Sequence, residues 1–405
     1  MSEPLTGRRI VLGVSGSIAA YKAVEVTSRL VQAGAEVDVA MTKSATNFIT
    51  PLTFRSLTGR EPYVDMFQPH GEYGEAHVEL ARRADLMLIA PATASTMARL
   101  ANGLADDFVS LTAVATKAPL LVAPAMDSQM WEHPATQANH FELEGRGVRF
   151  IGPTAGRLAS GRTGAGRLED PATIVDAVKV LLGRTRGDMA SARIVISAGG
   201  TREAIDPVRF VGNHSSGKMG YALAEAARDR GADVALITSA ALPDPHAVRV
   251  IHVNSALEMQ AAVEEECAST NALVMAAAVA DYRPSEAAEQ KMKRAGAAEI
   301  SVDLVENPDV IASVQGDFVK VAFAAETENM VENAIGKLDR KGAQLIVAND
   351  VTATDAGFGT DTNRVTILDT DGGVDELPLM SKYDVAVRVL DRVVALMIER
   401  RERDQ

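Results

Sequence analysis

The chain has only one cysteine among its 405 residues, Cys267. An intrachain disulfide is therefore excluded, and such a composition is typical of a reducing compartment. The first residues enter a strand pattern without the apolar segment and cleavage site of a signal peptide. No apolar run approaches the ~20 residues that span a bilayer. We therefore expect a cytoplasmic location and no membrane partner.

Aromatic residues are also scarce, at 4% with one tryptophan, although hydrophobic residues make up 47% of the chain. The interior must therefore consist mainly of Ala, Val, Leu and Ile, which suits helices packed closely on parallel sheets. Basic residues are fewer than acidic ones, which gives the chain a formal net charge of −13. Because this charge repels nucleic acid over most of the surface, we expect no nucleic-acid partner. An anionic ligand would need a local positive site.

Two segments, one from Arg8 and one from Ala192, follow the same order of buried strand, glycine-containing loop, amphipathic helix and second strand. This order is the opening of a βαβ unit. We therefore predict an α/β protein with two doubly wound parallel-sheet domains. The polar stretch GRTRGDMASA separates the two segments. We place the first domain at 1–183, a linker at 184–191 and the second domain at 192–405.

Small or polar residues end the predicted strands, and these positions are the candidates for ligand-binding residues. The strand ends read PAT and PAMD in the first half, and ADY, AAET and ANDV in the second. In open parallel sheets, ligands bind beyond the carboxyl ends of the strands. We therefore expect one ligand site in each domain.

The glycine-rich turns do not match a dinucleotide-binding fingerprint. Gly13 and Gly16 are spaced G-x-x-G rather than G-x-G-x-x-G, and no acidic residue follows the second strand of either segment to bind a ribose. Hydroxyls such as those of Ser17 and Ser44, together with backbone amides, would suit a mononucleotide phosphate. The same hydroxyls also serve in ordinary turns and helix caps, so spacing alone leaves both interpretations open.

The stretch GNHSSGKMG, residues 212–220, is one residue short of a phosphate-binding P-loop, because Met219 replaces the hydroxyl that would hold Mg²⁺. The preceding strand ends near Ser197 and the helix begins near Gly217, so the insertion is too long for that motif. A helix start still presents free amides and a positive dipole to an anion. We therefore expect an anion site here, with Asn213 beside it.

Isolated lysine and histidine residues say less about function than these motifs do. Lys337 and Lys341 are four residues apart in a helical pattern and would project from one face. Lys291 lies in a predicted loop. Without further support, each of these lysines is most simply a solvated surface residue. His77 lies on a predicted helix with no metal-ligand spacing around it, so a structural role is its simplest interpretation.

Taken together, the motifs resemble the bifunctional phosphopantothenoylcysteine decarboxylase/phosphopantothenate–cysteine ligases of coenzyme A biosynthesis. The resemblance covers nearly the whole chain in family order. In the first half it rests on GSIAAYK, AHVELARRADLMLIAPATA, NGLADD, PAMDSQMW and GRTGAGRL. In the second half it rests on SAGGTREAIDPVRFVGNHSSGKMG, AAAVADYRP, KMK, ENPDVI, FAAET and IVAND. It implies a flavodoxin-like flavoprotein domain followed by a Rossmann-like ligase domain.

For the second domain, the resemblance implies that CTP activates 4′-phosphopantothenate as an acyl-cytidylate, which cysteine then attacks. The charge of the triphosphate calls for lysines and Mg²⁺. By matching motifs, Asn213 and Lys291 would stabilise the acyl-cytidylate, and Asn213 would also contact the substrate. The residues implied to bind CTP are Asp281, Lys291, Asn307, Pro308, Asp309, Val310, Ile311, Phe323, Lys337 and Lys341. We assign no metal ligand, and Asp281 is the one candidate.

For the first domain, the resemblance implies FMN-dependent decarboxylation of phosphopantothenoylcysteine to 4′-phosphopantetheine. His77 matches the active-site histidine of the family, and Met130 matches a methionine that contacts the substrate. The residues that match FMN-contacting segments are Gly16, Ser17, Ser44 and Thr93. The resemblance also implies a homo-oligomer, in which the flavin domains form trimers and the ligase domains form dimers. A dodecamer is an assembly that contains both kinds of contact.

Two residues of the first domain depart from the family pattern. Asp127 replaces an asparagine that holds the substrate carboxylate in many members, and an ionised Asp127 would repel that carboxylate. Ser160 replaces a cysteine that protonates the enethiol, and a hydroxyl is a much weaker acid. We keep both as candidate catalytic residues, with Asp127 as the acid in one hypothesis. The alternative is an active ligase whose flavin-binding domain is impaired or non-catalytic.

Overall fold

The computed structural model describes residues 4–67, 75–293, 301–326, 336, 338–350 and 359–403. These residues form two compact units, of which one ends at Leu182 and the other begins at Gly183. Each unit is an α/β structure built on one main sheet. In the described part of the chain, no helix combines the length and apolar character needed to cross a membrane.

The first unit is a five-stranded parallel sheet in the order β2-β1-β3-β4-β5, which is the order of flavodoxin-like folds. Its strands and the following hairpin are β1 (Arg9–Val14), β2 (Glu36–Met41), β3 (Leu86–Ala92), β4 (Leu120–Pro124), β5 (Arg149–Phe150), β6 (Thr154–Arg157) and β7 (Thr163–Arg167). Its helices are α1 (Ala20–Gln32), α2 (Pro51–Thr58), α3 (Ala76–Arg83), α4 (Ala94–Asn102), α5 (Phe108–Ala115), α6 (Ser128–Glu132), α7 (Pro134–Gly145) and α8 (Pro171–Arg186). Strands β6 and β7 pair antiparallel as a separate hairpin.

The second unit contains an eight-stranded sheet in the order β12-β11-β8-β13-β16-β17-β19-β20, parallel from β12 to β17 and antiparallel beyond. The strands of this sheet are β8 (Arg193–Ala198), β11 (Asp233–Thr238), β12 (Arg249–His252), β13 (Ala272–Met275), β16 (Val319–Glu326), β17 (Leu345–Asp350), β19 (Val365–Asp369) and β20 (Val374–Glu376). The shorter strands are β9 (Arg202–Ala204), β10 (Phe210–Gly212), β14 (Tyr282–Pro284), β15 (Leu304–Glu306), β18 (Thr362–Asn363) and β21 (Met380–Ser381). The helices named here are α9 (Lys218–Asp229), α10 (Ala256–Cys267), α11 (Val310–Ser313) and α12 (Lys382–Arg403).

Small aliphatic residues build both interiors, as the scarcity of aromatics predicted. The central strands are buried on both faces, and helices cover each face: α9 and α12 lie on one side of the second sheet, while α10 and α11 lie on the other. The predicted fold class, a flavodoxin-like unit followed by a Rossmann-like one, is confirmed by the two strand orders.

The segment predicted as a linker differs from that expectation at its start. Residues 184–186 form the last turn of α8. The following Met189 is buried, and its N–H donates a hydrogen bond of 3.2 Å to the carbonyl oxygen of Arg230. Methionine can bury its side chain against the second unit because it is apolar and flexible. Met189 thus anchors the stretch, whereas most of its other residues are exposed, as its polar composition indicated.

The insertion between β8 and α9 is as long as the sequence indicated, because the strand ends at Ala198 and the helix begins at Lys218. Part of it folds into the antiparallel hairpin β9–β10. The chain then returns so close to β8 that position 220 leaves no room for a side chain. A Cβ at Gly220 would lie 2.5 Å from the Cβ of Ala198 and 2.7 Å from the carbonyl oxygen of Ser197.

This close approach predicts that Gly220→Ala destabilises the protein, by about 1–3 kcal/mol, because α9 must move away from β8. Denaturant unfolding of the intact chain measures the change. Gly145→Ala is the matched control, since this helical glycine has no atom within 4 Å of the added Cβ. Equal stability of the Gly220→Ala protein and wild type would contradict the packing described here.

Candidate functional sites

A cavity of about 680 Å³ opens at the carboxyl ends of β1, β3 and β4 in the first unit. The loop after β1, the start of α4 and the stretch after β4 form its walls, and the β6–β7 hairpin forms a further side. The residues singled out from the sequence that line it are Gly16, Ser17, Thr93, Asp127, Met130 and Ser160. Two others do not line it, namely Ser44 and His77. The cavity lies at the switch point between β1 and β3, where flavodoxin-like folds bind their cofactor.

Hydrogen bonds and close backbone contacts join the loops around the switch point. The buried Ser15 hydroxyl donates to the carbonyl oxygen of Pro91 at 2.7 Å and accepts from the N–H of Thr93 at 3.0 Å. A Cβ at Gly16 would lie 2.5 Å from the Cβ of Ser44, so only glycine allows these two loops to approach so closely. Ser17 accepts from the N–H of Ala19 at the start of α1, at 3.2 Å. The result is a neutral cradle of hydroxyls and amides, which suits the phosphate of a mononucleotide.

Asp127 and Ser160 lie together at one end of this cavity. The Ser160 hydroxyl donates to Asp127 Oδ2 at 2.6 Å, and the N–H of Gln129 donates to Oδ1 at 3.1 Å. The Arg162 guanidinium lies 3.9 Å from Oδ1. These contacts, that from Ser160 first, hold the pKa of Asp127 below its ordinary value. Asp127 is therefore a carboxylate at neutral pH.

This geometry bears on the hypothesis that Asp127 is the acid, which stays a prediction. An ionised carboxylate has no proton to give, and Ser160 already donates its own proton to Asp127. Sequence reasoning identified both residues but not their contact, because they are 33 positions apart. The hairpin that carries Ser160 is held over Asp127 by a hydrogen bond from the N–H of Met126 to the carbonyl oxygen of Gly166, at 2.9 Å.

Other residues of this unit differ from the sequence-based expectation. His77 is the second residue of α3 and is partly buried, and the structure does not bring it into the cavity. Three basic residues that line the cavity were missed: Lys22, Arg157 and Arg167. Lys22 and Arg167 belong to the motifs GSIAAYK and GRTGAGRL, which would have been the signal for them.

A second cavity, of about 470 Å³, opens at the carboxyl ends of β13, β16 and β17 beside the start of α9. The residues singled out from the sequence that line it are Asn213, Asp281, Asn307, Pro308, Asp309, Val310, Ile311, Phe323 and Lys341. Lys291 is not among the lining residues. Lys337 lies outside the described residues. The chain thus brings together motif residues that are up to 128 positions apart, from 213 to 341.

Two asparagines position the loop that follows β13. The Asn213 side-chain amide donates to the carbonyl oxygen of Val279 at 3.2 Å, and that of Asn307 donates to the carbonyl oxygen of Ala280 at 2.8 Å. Asp281 follows directly in this loop. Both asparagines therefore shape the cavity wall as well as lining it.

A lysine and an aspartate form an ion pair on the α11 side of this cavity. Lys341 Nζ lies 3.1 Å from Asp309 Oδ2, and Asp309 also caps α11 by accepting from the N–H of Ala312 at 3.3 Å. The Lys341 side chain is partly exposed, so a phosphate can compete for its ammonium group.

Two lysines on the α9 and α12 side were missed by sequence reasoning. Lys218 Nζ lies 2.8 Å from Asp361 Oδ1, and Lys382 donates to the carbonyl oxygens of Thr360 and Thr362. Burial, followed by the charge of Lys218, lowers the pKa of Lys382. Lys218 stands in the stretch GNHSSGKMG, whereas Lys382 has no local sequence signal.

Asn349, at the end of β17, is a third missed residue. Its side-chain oxygen is buried and has no hydrogen-bond partner among the described residues, and the side chain lines the cavity. A buried polar atom without a partner costs about 1–3 kcal/mol, so a donor from a ligand would be favourable here. The signal was present in IVAND, where a polar residue follows a buried strand.

The two strand orders, each with a cavity at the carboxyl ends of its parallel strands, define a protein with two doubly wound α/β units. Family models agree with this class. A model described as "Flavoprotein" matches residues 1–183, and one described as "DNA/pantothenate metabolism flavoprotein C-terminal domain" matches residues 189–397.

Full-length relatives identify the family. The coenzyme A biosynthesis bifunctional protein CoaBC of Vibrio parahaemolyticus is 44% identical over 98% of this chain and 100% of its own length. That of Bacillus subtilis is also 44% identical, over the same shares of the two chains. The chain belongs to the family of coenzyme A biosynthesis bifunctional proteins, and the resemblance found in the sequence is confirmed. The solved C-terminal domain of one CoaBC protein is 37% identical, covers 53% of this chain and 99% of that chain, and gives a TM-score of 0.45.

The Asp127–Ser160 contact predicts a measurable titration. Because Ser160 makes the largest contribution to lowering the pKa of Asp127, Ser160→Ala should raise that pKa toward its ordinary value. The contact stabilises the folded protein fully at a pH above the ordinary pKa of an aspartate. This stabilisation is lost as the pH falls through the lowered pKa of Asp127 in the folded protein. Infrared difference spectra across an acid titration, with Asp127→Asn to identify the band, measure both pKa values. The same Asp127 pKa in wild type and Ser160→Ala would contradict the assignment.

Proposed function

We propose that the chain is a bifunctional enzyme of coenzyme A biosynthesis whose two reactions take place in the two cavities. The second unit joins cysteine to 4′-phosphopantothenate with CTP. The first unit decarboxylates the resulting phosphopantothenoylcysteine to 4′-phosphopantetheine with FMN. The main support is that nine residues, matched by motif alone, line a single cavity of the second unit.

In the ligase reaction, the carboxylate of phosphopantothenate attacks the α-phosphorus of CTP and releases pyrophosphate. The amine of cysteine then attacks the acyl carbon, CMP leaves, and one proton is released. The amides at the start of α9 and the ammonium of Lys341 would neutralise the triphosphate. Asn213, Lys218 and Lys382 contribute a polar donor and two further positive charges at the α9 side of the cavity.

The metal of the ligase reaction would be held mainly by its substrate. Among the described residues, no group of three or more His, Cys, Asp or Glu side chains could hold a metal ion. Asp281 is therefore not part of such a cluster among the residues that the structure describes. Mg²⁺ usually keeps several waters and binds through one or two carboxylates and substrate phosphates, and Asp281 fits that limited role. Lys291 is retained as a proposed contact of the acyl-cytidylate.

The cavity of the first unit fits a flavin mononucleotide. A side chain at Gly16 would fill the space between its loop and Ser44, and the donors around that point are the uncharged amides and hydroxyls of Ser17, Ser44 and Thr93. When bound, FMN supplies a two-electron oxidation of the cysteine side chain and the matching reduction after CO₂ is lost. Met130 would contact the substrate at the end of the cavity that holds Asp127.

Asp127 and Ser160 then determine how the last protonation proceeds. The Ser160 proton is shared with the Asp127 carboxylate, and the negative charge of Asp127 opposes a substrate carboxylate nearby. This observation favours the second candidate function, an active ligase with a slow decarboxylase half. His77 stays a proposed active-site residue. The cytoplasmic location and the homo-oligomer, with a dodecamer as the assembly that satisfies both symmetries, are also part of the proposal.

Lys341→Gln tests the ligase site. We expect the KM for CTP to rise about 10- to 100-fold, because one charge-assisted contact to the triphosphate is lost. Pyrophosphate release with CTP and phosphopantothenate gives the KM. Lys117→Gln, an exposed lysine of the other unit, is the control. An unchanged KM in Lys341→Gln would exclude Lys341 from the CTP site.

The double variant Ser160→Cys/Asp127→Asn tests the decarboxylase site. We expect it to form 4′-phosphopantetheine from phosphopantothenoylcysteine about tenfold or more faster than wild type, because it gains a more acidic donor and loses a repelling charge. Mass spectrometry of the ratio of enethiol to product follows the last step. Ser160→Cys alone should gain less, since the carboxylate of Asp127 raises the pKa of a neighbouring thiol. Equal rates in all three proteins would show that these residues do not limit the reaction.

A further inference from the structure

Two basic side chains lie in the wall of the first cavity. Lys22 is in the first turn of α1, and Arg167 ends β7. Both line the cavity. Neither forms an ion pair or a side-chain hydrogen bond with any residue that the structure describes. By contrast, Arg162 on the same hairpin is near Asp127.

The two positive charges act on each other. Burial lowers the pKa of Lys22 first, and the charge of Arg167 lowers it next. The carboxylates of Asp170, Glu169 and Glu25 oppose this but do not outweigh it. Like charges held together at a cavity wall attract an anion, particularly in a chain whose formal net charge is −13.

The β6–β7 hairpin places Arg167 at the cavity wall. Arg167 pairs with Thr154 at the open end of the β6–β7 hairpin. Its side chain passes Gly156, where a Cβ would lie 3.5 Å from Arg167 Nη1. A guanidinium presents a planar set of N–H groups that matches two oxygens of a phosphate, and an ammonium adds a third donor and a second charge.

We propose that Lys22 and Arg167 form a subsite for a phosphate monoester, and that this group is the 4′-phosphate of phosphopantothenoylcysteine. The inference rests on the proposed decarboxylase substrate. FMN also carries a phosphate monoester, but the cradle around Gly16 already supplies that group with uncharged donors. The hairpin spans from Arg167 at its open end to Ser160 at its tip. Along β7, Arg167 is four residues from Thr163, or about 13 Å, so one hairpin can contact both ends of an extended substrate.

The test measures binding, so it does not depend on turnover. FMN-loaded wild type, Lys22→Gln, Arg167→Gln and the double variant are titrated calorimetrically with phosphopantothenoylcysteine and with pantothenoylcysteine, which lacks the phosphate. We expect wild type to bind the phosphorylated ligand more tightly, and each single variant to lose about 10- to 100-fold of that affinity. Binding of the unphosphorylated ligand should change less than twofold. Arg149→Gln, an exposed arginine outside the cavity, is the matched control.

Three further readouts decide the source of the phosphate. Fluorescence titration of the apoprotein should give the same FMN affinity in wild type and variants. The proposal is overturned if the variants bind FMN more weakly but still prefer the phosphorylated ligand as strongly as wild type does, because the subsite then belongs to the cofactor. Added salt should weaken wild-type binding of the phosphorylated ligand more than that of the double variant. Arg167→Lys should recover part of the lost affinity. Equal loss for both ligands would indicate a structural role and would also overturn the proposal.

Failure of the proposed function gives a different pattern. If wild type binds neither ligand, the decarboxylase substrate is wrong, and the subsite assignment falls with it. If wild type binds the phosphorylated ligand tightly but the variants bind it equally well, only the subsite is wrong. Turnover of the bound ligand, measured afterwards, then reports on the catalytic step and not on the phosphate subsite.

Discussion

Parallel strands end on the same edge of their sheet, and both cavities depend on this constraint. Side chains that follow different strands meet there even when they are far apart in the chain. In the first unit this edge gathers the loops after β1, β3 and β4. In the second it gathers Asn213, Asp281 and Asn349 around the start of α9. Buried aliphatic strands therefore hold the polar residues of each site in place without contributing chemistry themselves.

Close backbone approach is the second requirement. Gly220 lets α9 lie against β8, and Gly16 lets the first loop lie against Ser44. Both glycines stand where a helix start or a loop must face the cavity. Because a helix start presents its free amides to whatever lies beyond it, these two contacts determine where an anion can be neutralised. Positive charge lines both sites: Lys22, Arg157 and Arg167 line the first cavity, and Lys218, Lys341 and Lys382 line the second.

The fold could be predicted from the sequence because its signals are local. The end of β8, the start of α9 and the order of the βαβ units follow from periodicity and glycine positions within short windows. The site was predictable only where a motif marked it. The contact between Asp127 and Ser160, the partners of Lys382 and the unpartnered oxygen of Asn349 arise from residues brought together by folding, which no local pattern encodes. His77 shows the opposite case, since a matched motif did not bring the residue into the cavity.

The central claim is that one chain carries out both reactions in sequence, and one time course tests it most directly. Purified protein is incubated with FMN, Mg²⁺, CTP, cysteine and 4′-phosphopantothenate, and the products are followed by mass spectrometry. We predict that phosphopantothenoylcysteine forms first and is converted, with a lag, to 4′-phosphopantetheine. Absence of any CTP-dependent product would contradict the ligase assignment. Lasting accumulation of phosphopantothenoylcysteine, with no decarboxylated species, would contradict the claim that the first unit is an enzyme.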